Sequence, residues 1–421
     1  MKYTLTVIAA FLVVLFVALR VLAQGSHEQP PAVESAVLKS GPARALAAAT
    51  NRFGFDLYAR LRGGSGNIVM SPASIELALL MTWAGAREGT AEEMSGVLHL
   101  GELGEDAHAA ASDMLRAWND PGRKTYELAV VNRIFIEKTA PIEPAFVELT
   151  QKHYGVAFEA LDFRNQFEPG RRHINTWVAG QTKNRIEDLL PERSLDHLTR
   201  LVLTNAVYFL GQWDQRFDET ATDDSAFHVG GRATAQVRMM HQSGTFGLAR
   251  PQGLAVLEMP YVGEALSMVV ILPDARDGLG AVEERLDAEY DRWVADLVPQ
   301  KVEVSFPRFR VAMPEAIKLK DQLSAMGMPV SFTDAANFEG MSNPSDPTEK
   351  LQIGNVYHKA FVEVNEEGTE AAAATAVVMG RGAAPRPEQF VADHPFLFVI
   401  RDARNGAILF LGRVDDPRPT D

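Results

Sequence analysis

The chain is predicted to be α+β, with helices mostly early in the sequence and antiparallel-looking strands mostly late. Two observations carry this. Apolar residues first recur at helical spacing and later fall into short alternating or continuous runs, without a regular strand–helix rhythm or an internal repeat. No Pro/Gly-rich linker divides the 421 residues, and a 46% hydrophobic content allows one sizeable core, so a single domain over residues 42–421 is expected.

The N-terminus stands apart. MKYTLTVIAAFLVVLFVALRVLAQGS carries Lys2, an uncharged apolar run from Leu5 to Leu19, a late Arg20 and a small-residue exit at Ala23. That order predicts a secretory signal over residues 1–23, cleaved near Ala23. The alternative is a retained membrane anchor, for which the run is shorter than the roughly 20 residues a span needs. Gln24 to Gly41 is polar, contains Pro30-Pro31, and is expected to be a disordered leader.

Within the domain, Leu46, Phe53, Leu57 and Leu61 predict a helix over 42–61, and Asn67–Met70 a short strand. Ser71-Pro72 is an N-cap followed by proline at the first helical position, starting a helix through Ala84. Further helices are expected around 90–98, 107–118, 144–153, 171–184, 279–286 and 316–326. Strands are expected at 126–136, 201–209, 255–259, 266–272, 301–306, 352–364, 390–392, 396–401 and 407–413.

Composition excludes several functions. A formal net charge of -14 without a Lys/Arg run argues against nucleic acid, anionic membranes and heparin-like polyanions. Zero cysteines remove thiol nucleophiles, thiolate metal sites, disulfides and a lipoprotein anchor. The ten histidines show neither HxxxH nor HExxH spacing, so no metal site is expected. No GxSxG or SxxK is present (GGSGN at Gly63–Asn67 lacks the second Gly), and no glycine-rich phosphate loop follows a strand. No cofactor and no enzymatic activity are expected.

Five segments, in order, resemble the serpin family of serine protease inhibitors across the whole chain after the leader. They are NIVMSPASIELALLMTWAGAREGTAEEM (Asn67–Met94), INTWVAGQTKNRIEDLLP (Ile174–Pro191), LTNAVYFLGQW (Leu203–Trp213), LQIGNVYHKAFVEVNEEGTEAAAATA (Leu351–Ala376) and ADHPFLFVIRDARNGAILFLGRV (Ala392–Val414). The resemblance implies a serpin fold, with about eight to nine helices, three mostly antiparallel β-sheets and an exposed reactive-centre loop at about 366–388. It further implies a suicide inhibitor whose cleaved loop enters the main sheet as an extra strand.

The residues suit both states. Thr369, Ala371, Ala373, Thr375, Val377 and Met379 share one face of a strand, and none is charged, while Glu370 lies on the other. Gly368 supplies a pivot. By the resemblance, Glu366, Glu367, Gly368, Thr369, Glu370, Ala371, Ala372, Ala373 and Ala374 form the hinge. Non-inhibitory serpins often carry charged or bulky residues here, and a carrier, chaperone or storage role is the alternative function. The family pattern sets the bait at Gly382, before Ala383, or one residue earlier at Arg381. A cation suits a trypsin-like pocket, so Arg381–Gly382 is preferred over Gly382–Ala383, with Met379–Gly380 third. The expected partner is a trypsin-like serine protease, with subtilisin-like, chymotrypsin-like or cysteine proteases as alternatives, and the inhibitor is expected to be a monomer.

Ser71, Ser74, Asn205 and His358 match the family's cluster where the main sheet opens. They are read as a buried hydrogen-bond network rather than as a nucleophilic site. Trp213, Arg308 and Glu366 match positions that gate the loop where it joins the sheet.

Overall fold

Ser71 starts its helix as its sequence context predicts, and Ser40, inside the expected leader, starts another in the same way. Ser40 Oγ accepts a hydrogen bond from Ala43 N at 3.4 Å, and Ser71 Oγ from Ser74 N at 3.2 Å, each with proline in the first turn. The computed structural model describes residues 35–120, 125–155, 158–230, 233–313, 315–369 and 386–418.

The first part of the chain runs α1 (Ser35–Leu38), α2 (Gly41–Leu61), β1 (Ile68–Met70), α3 (Pro72–Trp83), α4 (Glu88–Val97) and α5 (Asp106–Trp118). Next come β2 (Tyr126–Glu137), α6 (Pro144–Tyr154), β3 (Glu159–Leu161), α7 (Phe163–Gln181) and β4 (Leu201–Gln212). Four strands follow: β5 (Asp223–Val229), β6 (Ala233–Ala249), β7 (Leu254–Pro260) and β8 (Leu266–Pro273). After α8 (Leu279–Ala295) come β9 (Val298–Pro307), β10 (Phe309–Ala312), β11 (Ile317–Lys318) and α9 (Lys320–Met326). The chain closes with β12 (Val356–Val364), β13 (Gly368–Thr369), β14 (Glu388–Val391), β15 (Phe396–Asp402) and β16 (Ile408–Val414).

The strands form two hydrogen-bonded sheets. The seven-stranded sheet has the order β10-β12-β4-β2-β3, with β11 also on β12 and β13 also on β4. The nine-stranded sheet is β1-β16-β15-β8-β7-β6-β9-β14, with β5 on β6. It is continuous because the 17-residue β6 pairs with β5 near its start, β7 near its end and β9 along most of its length. The two smaller sheets expected from the family thus share one strand. Helix α7 covers one face of the seven-stranded sheet: Phe163, Ile174 and Val178 meet Phe135, Val202, Ala206, Tyr357 and Phe361 in one buried cluster.

Several elements depart from the sequence reading. Ser35–Leu38, inside the expected leader, is helical because Leu38 finds a fully buried site. Helix α7 begins eight residues before Arg171. Asp162 caps it by accepting from Asn165 N at 3.1 Å, and the Glu137 carboxylate accepts from Phe163 N at 2.8 Å. These contacts stabilise a first turn despite Pro169, and the helix kinks at Gln166 (φ -138°, ψ 43°). Hairpin β5–β6 was not anticipated, because DDSAFHV and the first half of β6 are largely solvent-facing and polar. At the other end of the chain, β12 starts at Val356 rather than at Gln352.

Helix α3 is buried on all sides from Pro72 to Thr82, which suits its apolar residues. Glu76 is the exception. It is 1% exposed, and neither carboxylate oxygen accepts a hydrogen bond of good geometry, the Thr50 hydroxyl offering only a weak one. Burial pushes its pKa up to about 8. The folded state therefore holds a proton that the unfolded chain releases near the ordinary value of 4.5. The associated stability is complete at acidic pH and is lost as pH rises from about 4.5 through 8. Glu76→Gln should unfold at the wild-type rate at pH 5 and more slowly at pH 9, by about tenfold for each 1.4 kcal/mol recovered. Guanidinium unfolding rates at the two pH values check this.

Candidate functional site

The seven-stranded sheet is held shut along one seam. Strand β12 runs parallel to β4 over five residue pairs, from Val356↔Leu203 to Ala360↔Val207. Beyond them β12 pairs with β10, from Phe361 to Val364. Parallel ladders are slightly weaker per residue than antiparallel ones. Side chains reinforce this one at its centre.

His358 lies opposite Asn205, and Asn205 lies opposite Asn132 on β2. Ser71 N donates to His358 Nε2 at 3.0 Å, so the ring proton resides on Nδ1, which donates to Asn205 Oδ1. The Asn205 amide then donates to Ser74 Oγ at 2.5 Å and to Asn132 Oδ1 at 2.6 Å. Asn132 Nδ2 returns a bond to Ser74 O at 3.2 Å. These five side chains are at least nine-tenths buried. Burial lowers the His358 pKa to about 3, so the ring is neutral. Neither ring nitrogen meets a serine hydroxyl, so His358 activates no nucleophile. Ser71, Ser74, Asn205 and His358 are brought together as their match to the family suggested, and Asn132 completes the set.

The second predicted group also assembles, about 25 Å further along β4 by strand rise. Arg308 Nε and Nη2 reach Glu366 Oε1 at 2.6 and 2.5 Å. Thr222 Oγ1 donates to the same oxygen, and Phe217 N donates to Glu366 O at 3.0 Å. Trp213 Nε1 donates to Asn365 O at 3.0 Å and Trp213 N to Glu367 O at 2.9 Å. The indole stacks on Tyr261 with ring centroids 4.6 Å apart. Glu366 is 2% exposed, so this end of the expected loop is anchored in the protein.

Gly368 and Thr369 already form β13, antiparallel to β4, with Gly368↔Gln212 and Thr369↔Gly211 in register. Gly368 has φ +134°, and a Cβ there would collide with Gly211 O and lie 2.7 Å from Trp213 N. Glycine is required at this pivot. Glu370, Ala371, Ala372, Ala373 and Ala374 of the hinge, and Arg381, Gly382 and Ala383 of the bait, lie outside the described residues. Beyond the loop, Glu388–Val391 forms β14, parallel to β9.

Among the described residues, no group of three or more His, Asp or Glu could hold a metal, and no helix is long and apolar enough to cross a membrane. Asn132 and Thr222 escaped the sequence reading. Asn132 carried a signal, as an amide on the face of β2 that buries Leu128, Val130 and Ile134.

The two sheets, the buried polar seam and the anchored glycine pivot sit in a fold that this chain shares with known proteins. Residues 48–417 match the family model described as serpin (serine protease inhibitor). Serpin B6 of Pongo abelii is 40% identical over 381 residues, 88% of this chain and 99% of that one. The leukocyte elastase inhibitor of Homo sapiens is 39% identical over 384 residues, with the same coverage. Uncleaved ovalbumin superposes with a TM-score of 0.79 at 29% identity, over 88% of this chain and all of that one. The chain belongs to the serpin family, a family of protease inhibitors and not of enzymes.

Removing His358 should weaken the seam. His358→Ala leaves the Asn205 carbonyl and Ser71 N without partners, a loss of about 1–3 kcal/mol on the closed sheet. At pH 7 the variant should convert to inactive or polymeric forms roughly tenfold faster on mild warming, read by native gels and residual inhibition. Because its folded pKa is lowered from 6.5, the wild-type histidine contributes its stability above pH 6.5 and loses it as pH falls toward 3. The difference between the two proteins should therefore shrink at pH 4.

Proposed function

We propose that the protein is a secreted serpin that traps a trypsin-like serine protease once, by loop cleavage and insertion. The protease serine attacks the Arg381 carbonyl, the Arg381–Gly382 bond breaks, Gly382 leaves as an amine, and Arg381 remains as an acyl ester on the enzyme. The loop then extends β13 between β4 and β12 before water reaches the ester. Displacement of the bound protease distorts its catalytic geometry, where an error of about 1 Å can cost 10²-fold in rate. The native state is held kinetically, short of a strand it could add.

The register of β13 is the observation that carries this reading. Continued along β4, it sets Ala371 opposite Phe209, Ala373 opposite Val207, Thr375 opposite Asn205, Val377 opposite Leu203 and Met379 opposite Leu201. The twelve residues of β4 therefore match the segment from Gly368 to Met379, and the bait at Arg381 falls just past the strand's end. Asn205 faces Ser74 of α3, so Thr369, Ala371, Ala373, Thr375, Val377 and Met379 would all turn to the interior. On the other face, Ala374 and Val378 would meet Ala206 and Val202 under α7. Glu370 would fall at Leu210, beside a cleft of about 830 Å³ that Leu210, Gln212, Trp177 and Gln181 help to line. A charge is acceptable there and not three residues further on.

Export rests on the charged, apolar and small-residue order of residues 1–23. On this reading residues 24–34 link the signal to a single domain, the inhibitor is a monomer, and it takes no cofactor. The name of the human relative, leukocyte elastase inhibitor, supports a serine protease as target, and Arg381 selects the trypsin-like class.

The deciding experiment is incubation with a protease panel, followed by SDS gels. Trypsin should give a denaturant-resistant complex, and Arg381→Ala should abolish it without altering the fold. Unchanged association of that variant with trypsin would move the scissile bond elsewhere. If loop cleavage gives neither a complex nor a large rise in thermal stability, the protein is a non-inhibitory serpin.

Thr369→Arg introduces a charge opposite Gly211, where the new strand must start closing against the core. An unpaired buried charge costs roughly 3–5 kcal/mol, which should slow insertion but not ester hydrolysis. The variant should be cleaved as a substrate, so that several molecules are consumed for each protease trapped. Wild-type stoichiometry would refute insertion by this register.

A further inference from the structure

At the far end of the seam, β4 and the segment before β12 separate around a recess of about 700 Å³. Its lining includes Leu198, Thr199, Arg200, Leu201, Leu351 and Asn355. In the register above, Met379, Gly380 and Arg381 would arrive opposite Leu201, Arg200 and Thr199. The distal loop therefore has to finish its insertion in this recess.

The recess is bridged by charge. Glu349 Oε2 accepts from Arg164 Nη2 in the first turn of α7, and from Arg200 Nε at 3.3 Å, one residue ahead of β4. Glu349 itself precedes β12. One carboxylate oxygen thus ties the turn seven residues ahead of β12, and the residue that leads into β4, to the first turn of α7. Arg164 is also held from behind: the Glu137 carboxylate accepts from Arg164 N at 3.2 Å and lies 3.9 Å from its guanidinium. Glu137 N donates to Arg200 O at 2.9 Å, fixing Arg200 to β2. Beyond the clasped turn, α7 breaks its helical geometry at Gln166, so that turn is a separate unit from the rest of the helix.

We infer that Glu349 is a positioning residue for inhibition, a latch that holds Arg164 and Arg200 across the far end of the seam and sets the rate of the last stage of loop insertion. This rests on the insertion reading above. The two guanidiniums are close enough that Arg164 lowers the Arg200 pKa, after the larger effect of burial. Without the Glu349 charge they repel, and the gap opens. Glu349 is 28% exposed, so salt weakens the latch as well.

The chain has no cysteine, so a fluorophore on exposed Leu198→Cys, at the rim of the recess, reports the arrival of the loop end, by stopped flow after mixing with excess trypsin. Glu349→Gln should raise the insertion rate about three- to tenfold in low salt, leaving the association rate unchanged. Wild type in 1 M NaCl should approach the variant, and the variant should be insensitive to salt. Asp113→Asn, which removes an ion pair on α5, should change neither rate, so general destabilisation is separated from latching. Equal insertion rates for wild type and Glu349→Gln at both salt concentrations would overturn the latch while leaving insertion intact. A wild-type loop that is cleaved with no fluorescence change would overturn insertion itself, and the latch with it.

Discussion

Five parallel residue pairs between β4 and β12 are the constraint on which the rest of the molecule depends. Each backbone group in that ladder is satisfied, so parting the strands exposes donors and acceptors that must find new partners at once. His358 and Asn205 concentrate the resistance at the middle, and Ser71 and Ser74 extend it into α3, the most deeply buried helix. The network is fully paired, which makes it rigid, and it is entirely neutral, which makes it separable. Ion pairs in the same place would be harder to part, because each separated charge would be left buried without its partner.

Charge is used at the edges of the seam instead. Glu366 and Arg308 fasten the near end, and Glu349 with Arg164 and Arg200 the far end, and each group keeps at least one partly exposed partner. Buried titratable groups nearby pull in opposite directions with pH. Burial lowers His358 to about 3 and His108 to about 4, so both favour the fold above their ordinary range. Glu76, raised to about 8, favours it below. The closed state is accordingly best supported between these limits, in mildly acidic solution.

Much of this was legible in the sequence. Ser71-Pro72 announced α3, and Gly368 announced a pivot, which the structure gives a φ of +134°. Asn132 was legible in principle, because an amide on an apolar strand face needs a buried partner. Glu76 was too, as a carboxylate within SIELALL. Hairpin β5–β6 was not, since its polar residues face solvent and only pairing with β9 and β7 orders it. The far latch was also out of reach. Glu349 lies 185 residues from Arg164 and 149 from Arg200, and no local pattern links them.

The two ends of the seam have different tasks, and their chemistry reflects it. At the near end Gly368 and Thr369 already pair with β4, so on the proposed mechanism insertion would need no nucleation: each further loop residue would add one step to an existing ladder. Small alanines then let the first half of the segment advance with little side-chain reorganisation. Thr375 would arrive opposite Asn205, so it would meet the network when about half of β4 is covered. Only then does the segment become β-branched, at Thr375, Val377 and Val378, residues that favour an extended backbone and add buried apolar area. On the proposed mechanism the composition of the loop thus follows the resistance along the seam: least bulk where the sheet would first open, most strand preference where the closing ladder would have to outlast an ester bond.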